Sequence, residues 1–368
     1  GFTIRATKSL ARHITKFSSL VKWEVYQHMK LSELVDVLHV KEVLNLGDIE
    51  ITGIETDSRA VKSGDLFIAL RGFTVDGHDF IDRAIEQGAA AIIVEKPVSK
   101  NIVTIQVPDT RRAMAYLANR FYQYPSQKLK LIGITGTNGK TTTSHLIEQI
   151  LTSAGRETGI IGTIGVKIKN RQIPVRNTTP DVVELQKSLQ LMVDEGAEYT
   201  VMEVSSHALH MGRTRGSHYH IGVFTNLTQD HLDYHETMDK YREAKGLLFS
   251  QMGNRYDSEQ KENQVAVLNL DDAASNYFAT ITPAQVVTYG IHREADVRAV
   301  DIEHLADGVA FQLQTYQGDV PIKLPLFGIF NVYNALAAVT VALVEGIPLR
   351  QIKDALENLN GVDGRFEA

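Results

Sequence analysis

The stretch KLIGITGTNGKTTTSHLIEQIL, residues 130–151, determines the fold that we expect for this chain. Its first six residues are apolar enough for a buried β-strand, and the residues after Lys140 carry apolar side chains at helical spacing. The glycine-rich turn between them directs backbone N–H groups toward a phosphate, while Lys140 supplies positive charge and the Thr141 hydroxyl suits Mg²⁺. Five residues separate Gly133 from Gly139, so this is a variant of the common phosphate-binding loop. The pattern predicts nucleotide binding.

Strand-like and helical patterns alternate on both sides of this stretch. Before it, residues 66–70, 89–95 and 102–107 are predicted strands with helices between and after them, and Pro125 marks a boundary. After it come four further strand-like runs, TGIIGTIGV, AEYTVMEV, HIGVFTNL and QVAVLNL. Runs as apolar as these are typical of a parallel sheet covered on both faces.

The last third of the chain has a different pattern. Residues 295–327 show short alternating runs that predict an antiparallel appendage, and Asn331 to about Leu359 predicts two helices. The fold class is therefore α/β, with a small N-terminal α/β domain followed by a P-loop ATPase-like central domain with a mostly parallel sheet. We place the domains at residues 29–127 and 128–360, and expect residues 361–368 to begin a linker to a further domain.

The amino-acid composition excludes several classes of protein. The 368 residues contain no cysteine, which excludes a disulfide scaffold, a thiolate zinc site and a cysteine nucleophile. The net charge of −6 argues against a nucleic-acid-binding protein, and no apolar run is long enough to span a membrane. We expect a cytoplasmic protein without nucleic-acid or membrane partners. The composition does not indicate an oligomeric state.

Residues 1–28 differ from the rest of the chain. They hold five basic side chains against Glu24 alone, a net charge of +4 that leaves −10 for the remaining residues. A basic, Ser/Thr-bearing, acid-poor start is typical of organelle transit peptides. Because Met29 opens an ordinary-looking protein start, the segment is also consistent with upstream translated sequence, and we exclude it from the fold argument.

Two polar clusters follow predicted strands. Glu203 ends one strand, where an α/β sheet binds its ligands, so its carboxylate could hold Mg²⁺ or stabilise a loop. Ser205, next to it, could bind substrate or cap a helix. The second cluster places His231 close before a helix that bears Lys245. By itself, that cluster fits a solvated loop better than a ligand set.

Five motifs in order connect these clusters: ITGTNGKTTT, NTTPD (177–181), MEVSSHAL, FTNLTQDHLDYH with YREAK after it, and GIFNVYNALAA (328–338). The series resembles the Mur ligases, the ATP-dependent amino-acid ligases of peptidoglycan synthesis. The run from TDSRAV at residue 56 to residue 95 is similar to the uridine-nucleotide-binding domain of the MurE branch. Those enzymes are UDP-N-acetylmuramoyl-tripeptide synthetases.

The resemblance implies roles for individual residues. The ATP phosphates would be held by the turn and the residues just after it: Gly136, Thr137, Asn138, Gly139, Lys140, Thr141 and Thr142. Asn331 would lie near the adenine, and Thr141, Glu203 and His231 would bind Mg²⁺. The substrate would be bound by five residues, with Ser58 at its uridine-diphosphate part: Ser58, Thr178, Thr179, Ser205 and Arg213. Lys140, His231 and Lys245 would be catalytic, and Lys245 matches the lysine that is carbamylated in the family.

The implied reaction is addition of a third amino acid to UDP-N-acetylmuramoyl-L-alanyl-D-glutamate. The substrate γ-carboxylate attacks the γ-phosphate of ATP, and the amine of the incoming amino acid then displaces phosphate from the acyl phosphate. Meso-diaminopimelate is favoured as that amino acid, and L-lysine is possible. Lys140 and Mg²⁺ would stabilise the charge of the transferring group.

This sequence departs from the family pattern at some positions, and these departures leave other functions to be considered. Met211 stands where family members often carry Gln, and Asp363 where they usually carry Pro. The family's Asp-x-Pro-Arg motif is absent from this sequence, so we expect the isolated chain to bind nucleotides but to ligate poorly or not at all. A truncated nucleotide-binding module is therefore the alternative. A folylpolyglutamate synthase is disfavoured by the N-terminal run, and a P-loop kinase or GTPase by that run and the missing Asn-Lys-x-Asp motif.

Overall fold

The structure, a computed structural model, describes residues 27–45, 47–173, 179–228, 236–256, 258 and 263–359. Two main sheets organise this part of the chain. The smaller takes its strands from residues 42–106 and the larger from residues 130–324. This is the expected α/β architecture, in which a small sheet precedes a large and mostly parallel one. The domain boundary at residue 127 stays a prediction.

The first sheet has the strand order β2-β7-β6-β5-β4, and only its edge strand β2 is antiparallel to its neighbour. A short antiparallel pair, β1 with β3, lies beside it. The strands of this region are β1 Met29–Lys30, β2 Glu42–Leu44, β3 Glu50–Ile51, β4 Gly53–Glu55, β5 Asp65–Ile68, β6 Ala91–Val94 and β7 Val103–Gln106.

The second sheet has the order β11-β10-β9-β12-β8-β13-β14-β15-β16-β17-β18. Neighbours are parallel from β9 to β16 and antiparallel at both ends. Its strands are β8 Lys130–Thr135, β9 Thr158–Gly162, β10 Gly165–Ile168, β11 Arg171–Ile173, β12 Tyr199–Glu203, β13 Tyr219–Phe224, β14 Val265–Asn269, β15 Gln285–Gly290, β16 Val297–Leu305, β17 Gly308–Thr315 and β18 Gly318–Leu324.

Helices cover these sheets. Several begin at a residue whose side chain accepts a hydrogen bond from the first turn, as Asp109, Asp181 and Thr237 do. The α-helices are α1 Leu31–Val35, α2 Ile81–Glu86, α3 Thr110–Phe121, α4 Lys140–Ser153, α5 Val182–Asp194, α6 Ser206–His210, α7 Met238–Ser250, α8 Ala274–Ile281, α9 Ile329–Val344 and α10 Leu349–Glu357. Among the described helices, none combines the length and hydropathy that crossing a bilayer requires.

Two sequence-based expectations need refinement. The run TGIIGTIGV is not one strand of the parallel series, because it folds back at Thr163 and Ile164 into the antiparallel pair β9 and β10. Residues 295–327 do form antiparallel strands, as expected, but β16 also pairs with β15. The predicted appendage therefore continues the main sheet, and its apolar residues share one core with α4 and α9.

The two sheets are joined through α5. Val182 and Val183 on this helix pack into the core of the first sheet, together with residues of α3. The Asn119 amide of α3 also donates to the Arg215 carbonyl, at 3.0 Å. These contacts join the two sheets.

A buried ion cluster lies at the amino ends of the central strands, away from the glycine-rich turn. Glu345 directly follows α9, and its side chain is 4% exposed. Its carboxylate accepts from the Tyr199 hydroxyl at 2.7 Å and from Lys130 Nζ at 3.3 Å, and contacts His220 Nε2. Arg156 donates to the Glu345 carbonyl at 2.9 Å. Burial alone would raise the pKa of Glu345, but His220, Tyr199 and Lys130 outweigh burial and lower it to about 2.

Replacing this carboxylate should weaken the fold most at neutral pH. We expect Glu345→Gln to lower the free energy of unfolding by about 2 kcal/mol, since hydrogen bonds to a charged group contribute about that much. Because the folded pKa lies below the unfolded value of 4.5, this contribution is complete above pH 4.5 and is lost as the pH falls toward 2. Urea denaturation at a series of pH values measures both effects.

Glu236→Gln serves as the control, because the side chains of Glu236 and its partner Lys240 are both exposed. The control should stay close to the wild-type chain at every pH, since an exposed ion pair contributes little to stability. A Glu345→Gln variant that is as stable as wild type at neutral pH, or one whose deficit grows in acid, would contradict the assignment.

Candidate functional site

The glycine-rich turn connects β8 to the start of α4, where no side chain caps the helix. The first N–H groups of a helix lack partners within it, so an uncapped start offers them to an anion. Lys140 Nζ donates to the carbonyls of Gly136 and Thr137, at 2.7 and 3.3 Å. The lysine ammonium therefore lies over the turn, where its positive charge would attract a bound phosphate.

Two glycines in the turn are required by their surroundings. Gly136 has a φ of +149°, and a Cβ there would lie 1.8 Å from Thr225 Oγ1. Gly139 has a φ of +89°, and a Cβ there would lie 2.4 Å from Asn334 Oδ1. Both positions thus combine a left-handed backbone with a close neighbour, so glycine is needed for two independent reasons.

The residues after β13 hold the turn in shape. The Asn226 carbonyl accepts from Thr137 N at 2.8 Å. The Asn226 side chain accepts from Asn138 N and donates to the Asn138 carbonyl, both at 2.9 Å. Thr228 N donates to the Thr137 hydroxyl at 2.9 Å. The FTNLT part of the third motif therefore fixes the turn from the adjacent strand.

Glu203 lies at the carboxyl end of β12 and is 2% exposed. One carboxylate oxygen accepts from the Thr141 hydroxyl at 2.8 Å, and the other accepts from Thr163 N at 2.8 Å. The carboxylate therefore stabilises the β9–β10 turn, one of the two roles considered from the sequence, and lies beside the phosphate turn. Its role as a Mg²⁺ ligand stays a prediction. A carboxylate and a hydroxyl at this separation are oxygen ligands of the type that Mg²⁺ prefers. His231, the third residue of the predicted magnesium site, lies outside the described residues.

Three of the predicted substrate-binding residues are in one network. Thr179 is buried; its hydroxyl donates to the Glu203 carbonyl at 3.0 Å and accepts from Ser205 N at 3.1 Å. The Ser205 hydroxyl accepts from Ala208 N at 3.1 Å and caps α6. Arg213 donates to the Thr179 carbonyl at 3.4 Å. In the structure Thr179 and Ser205 thus shape the loop beside Glu203, and Thr178 lies outside the described residues.

Lys245 is on α7 and is 1% exposed. Its Nζ lies 4.7 Å from the centroid of the Tyr241 ring, and the Tyr241 hydroxyl lies 3.2 Å from the Thr137 hydroxyl. Tyr241 therefore connects this buried lysine with the phosphate turn.

A cavity of about 560 Å³ opens beside the turn. Its walls include Asn138 and Thr142 near the turn and Phe330, Asn331 and Tyr333 at the start of α9. Pockets of this size are typical of small-molecule sites. The structure thus places Asn331 at the same cavity as the turn.

Ser58 belongs to the first sheet. It is 6% exposed and follows β4, in a turn where Asp57 and Arg59 form an ion pair at 2.9 Å. The preceding Glu55 carboxylate accepts from Thr56 N and Asp57 N, both at 3.1 Å. Ser58 therefore lies at the carboxyl end of a parallel strand, where α/β sheets bind ligands, but on a different sheet from the other site residues.

Comparison with known proteins agrees with this arrangement. The profile of the Mur ligase middle domain matches residues 134–342, and that of the Mur ligase family catalytic domain matches residues 50–122. The UDP-N-acetylmuramoyl-L-alanyl-D-glutamate--2,6-diaminopimelate ligase of Geobacillus thermodenitrificans is 53% identical over 339 residues, which are 92% of this chain and 69% of that protein. The chain belongs to the Mur ligase family.

Further relatives are similar in both sequence and structure. The corresponding diaminopimelate ligase of Bacillus licheniformis is 51% identical over 340 residues, again 92% of this chain and 69% of the relative. A solved structure of such a ligase has a TM-score of 0.76 at 31% identity and covers 90% of this chain and 67% of its own. The Mur ligase resemblance inferred from the five motifs is thus confirmed.

Several residues that shape the candidate site were not predicted from the sequence. Asn226 and Asn334 were inside the quoted motifs, but their role in shaping the turn was not foreseen. Tyr241, in the YREAK motif, contacts both Lys245 and the turn. Asp271 lines the cavity and had no recognisable sequence signal.

The contact between Gly139 and Asn334 can be tested against a matched glycine. Gly155 has a similar φ of +80° but no atom within 4 Å of a Cβ placed on it. We expect Gly155→Ala to lower the free energy of unfolding by about 1 kcal/mol, the usual effect of a left-handed non-glycine residue. Gly139→Ala should lower it further and also weaken ATP binding, because Asn334 or the turn must move.

Thermal unfolding and titration with ATP measure the two effects. Adding Asn334→Ala to Gly139→Ala should restore part of the lost stability, since the clashing oxygen is removed. Equal destabilisation by the two glycine substitutions would mean that backbone conformation alone explains Gly139.

Proposed function

We propose that this chain acts in the ATP-dependent ligation of 2,6-diaminopimelate to UDP-N-acetylmuramoyl-L-alanyl-D-glutamate. The 2.8 Å hydrogen bond between Thr141 and Glu203 carries the proposal, because it puts a buried carboxylate at the phosphate turn of a Mur ligase chain. The named activity of relatives at 51–53% identity supports the choice of amino acid. The same names favour an enzyme over a binding module without ligase activity.

The proposed division of labour follows from where the residues lie. The turn from Gly136 to Thr142 binds the ATP phosphates, with Lys140 as the cation that stabilises charge on the transferring γ-phosphoryl group. The substrate carboxylate forms a bond to that phosphorus as ADP leaves. The amine of the amino acid then bonds to the acyl carbon and loses a proton as phosphate leaves, and no protein nucleophile is needed.

Thr141 and Glu203 would hold Mg²⁺, together with His231. When bound, the metal ion would neutralise phosphate charge. The two described groups fit this ion, since both offer oxygen atoms and Glu203 is buried and hydrogen-bonded on each oxygen. The protein's own part is to keep this carboxylate oriented by Thr163.

For Lys245 we propose carbamylation, which converts a buried cation into an anion. The proposal is supported by the match of Lys245 to the lysine that is carbamylated in the family and by its connection through Tyr241 to the turn, since an anion is favourable beside a divalent metal ion. Labelling with ¹³C-bicarbonate should give a carbamate signal that Lys245→Ala lacks.

The first test is calorimetric titration with UDP-N-acetylmuramoyl-L-alanyl-D-glutamate. We expect the wild-type chain to bind it and both Ser58→Ala and Arg213→Ala to bind at least about tenfold more weakly, since a lost hydrogen bond to a charged group has an effect of that order. Arg171→Ala is the control. Arg171 lies on β11, at one edge of the larger sheet, and pairs with Glu195 at the surface. Undiminished binding by both variants would remove the basis for this substrate site.

The proposed metal site has its own test. In wild type, Mg²⁺ should strengthen ATP binding, and Glu203→Gln should reduce that gain about tenfold or more, as changes around metal ligands commonly do. Glu198→Gln is the matched control, because Glu198 is exposed and lies just before the amino end of the same strand. A gain from Mg²⁺ that survives Glu203→Gln would place the metal elsewhere.

A further inference from the structure

The loop of residues 214–218 connects Arg213 to β13 of the larger sheet and is held by hydrogen bonds to other segments. These bonds join Asn119 Nδ2 to the Arg215 carbonyl at 3.0 Å, His218 N to the Ser126 hydroxyl at 2.9 Å, and Gln186 Nε2 to the Ser217 hydroxyl at 3.1 Å. The first donor lies on α3, whose apolar side chains belong to the core of the smaller sheet. The loop that follows Arg213 is therefore attached to the smaller sheet.

Asn119 is a buried polar residue on a helix face that is otherwise apolar. It is 4% exposed, and its amide donates a second hydrogen bond to the Ala115 carbonyl at 2.8 Å. Within the described part of the chain, Asn119 Oδ1 has no hydrogen-bond partner. Burying a polar atom without a partner is unfavourable, so an asparagine at this position contributes through the bonds that it donates.

Gly216 brings the loop close to this amide. Its φ is +83°, and a Cβ there would lie 2.3 Å from Asn119 Nδ2. Glycine is thus needed both for the left-handed backbone and for the close approach. Because two hydrogen bonds hold the Asn119 amide, it has little freedom to move aside. Asn119 and Gly216 therefore form one tight contact between α3 and the loop.

Arg213 lies between this contact and the rest of the candidate substrate site. Its guanidinium donates to the Thr179 carbonyl at 3.4 Å, beside the loop that carries Glu203. Ser58, in contrast, follows β4 of the smaller sheet. Under the proposed function, one ligand must reach both Ser58 and Arg213. A ligand with two ends gains its full affinity only when the two binding sites are held at a matching distance.

We propose that Asn119 is a positioning residue that sets the distance between the Ser58 end and the Arg213 end of the substrate site. It acts by fixing the loop after Arg213 to α3, and not by contact with the substrate. The inference rests on the proposed function, since it requires a ligand that spans both sheets. Loss of this contact should affect a ligand that reaches both ends, but not one that occupies the Ser58 end alone.

The whole substrate and UDP separate these two cases in calorimetric titrations. We expect Asn119→Ala to raise the Kd for UDP-N-acetylmuramoyl-L-alanyl-D-glutamate about tenfold, since loss of one such hydrogen bond has an effect of this order. The Kd for UDP should change less than twofold. Arg213→Ala should give the same pattern. The double variant should bind the whole substrate within about threefold of Arg213→Ala alone, because residues that act through one another are not additive.

A matched pair of glycines tests the contact without removing Asn119. Gly216→Ala forces the loop and the amide apart, so it should also weaken the whole substrate about tenfold and UDP less than twofold. Gly196→Ala is the control, because Gly196 has a similar φ of +86° but no atom within 4 Å of a Cβ placed on it. The control should bind both ligands like wild type. Circular dichroism reports whether each variant is folded.

The outcomes distinguish the positioning role from the proposed function. The positioning role is wrong if Asn119→Ala and Gly216→Ala bind the whole substrate like wild type, or weaken it and UDP equally. It is also wrong if the effects of Asn119→Ala and Arg213→Ala on Kd simply multiply in the double variant. If wild type binds neither ligand, or Ser58→Ala weakens neither, the proposed function itself is wrong.

Discussion

The uncapped first turn of α4 is the constraint on which the site depends. Its N-cap residue, Gly139, has no side chain that could accept from the first N–H groups of the helix, which are therefore not capped in this way. The protein keeps the turn in a ligand-ready shape by other means. Asn226 fixes two of its residues from β13, Lys140 lies over its carbonyls, and two glycines permit the close approach of Thr225 and Asn334.

The helices α4 and α9 connect the phosphate turn with the opposite end of the larger sheet. Near the turn, α4 and α9 are joined by the bond between Thr143 and Asn334. At their other ends, Arg156, which follows α4, donates to the Glu345 carbonyl at the end of α9. The nucleotide cavity and the ion cluster are therefore at opposite ends of one tied helix pair. Interactions that stabilise the fold also fix the position of Phe330 and Asn331.

The sequence predicted what local patterns specify. The boundaries of β8 and the start of α4 were evident from one stretch, because strand, turn and helix signals lie within 22 residues. The hairpin at Thr163 was missed, since its two central residues are not those that favour a tight turn. The contacts that Asn226 and Asp271 make were also missed, because their partners lie up to 89 and 62 positions away in the chain. Contacts of that range depend on the packing of whole elements.

Family resemblance added what patterns could not, but it did not determine local roles. Ser205 was open to two roles, and the structure shows its side chain capping α6. Thr179 was expected to bind substrate, and its hydroxyl is engaged in shaping the loop beside Glu203. A residue can thus be part of a binding motif because it builds the loop that presents other groups.

The bond between Thr143 and Asn334 joins residues that are 191 positions apart. A ribosome adding about 5–20 residues per second takes roughly 10–40 seconds to travel that distance. The core that covers the apolar face of α4 extends to residues of α10. During synthesis the phosphate turn therefore emerges long before the helices that frame its cavity, and the nascent chain exposes a half-covered sheet for that interval. The chain therefore becomes able to bind nucleotide only late in synthesis, once the residues that complete the core have emerged.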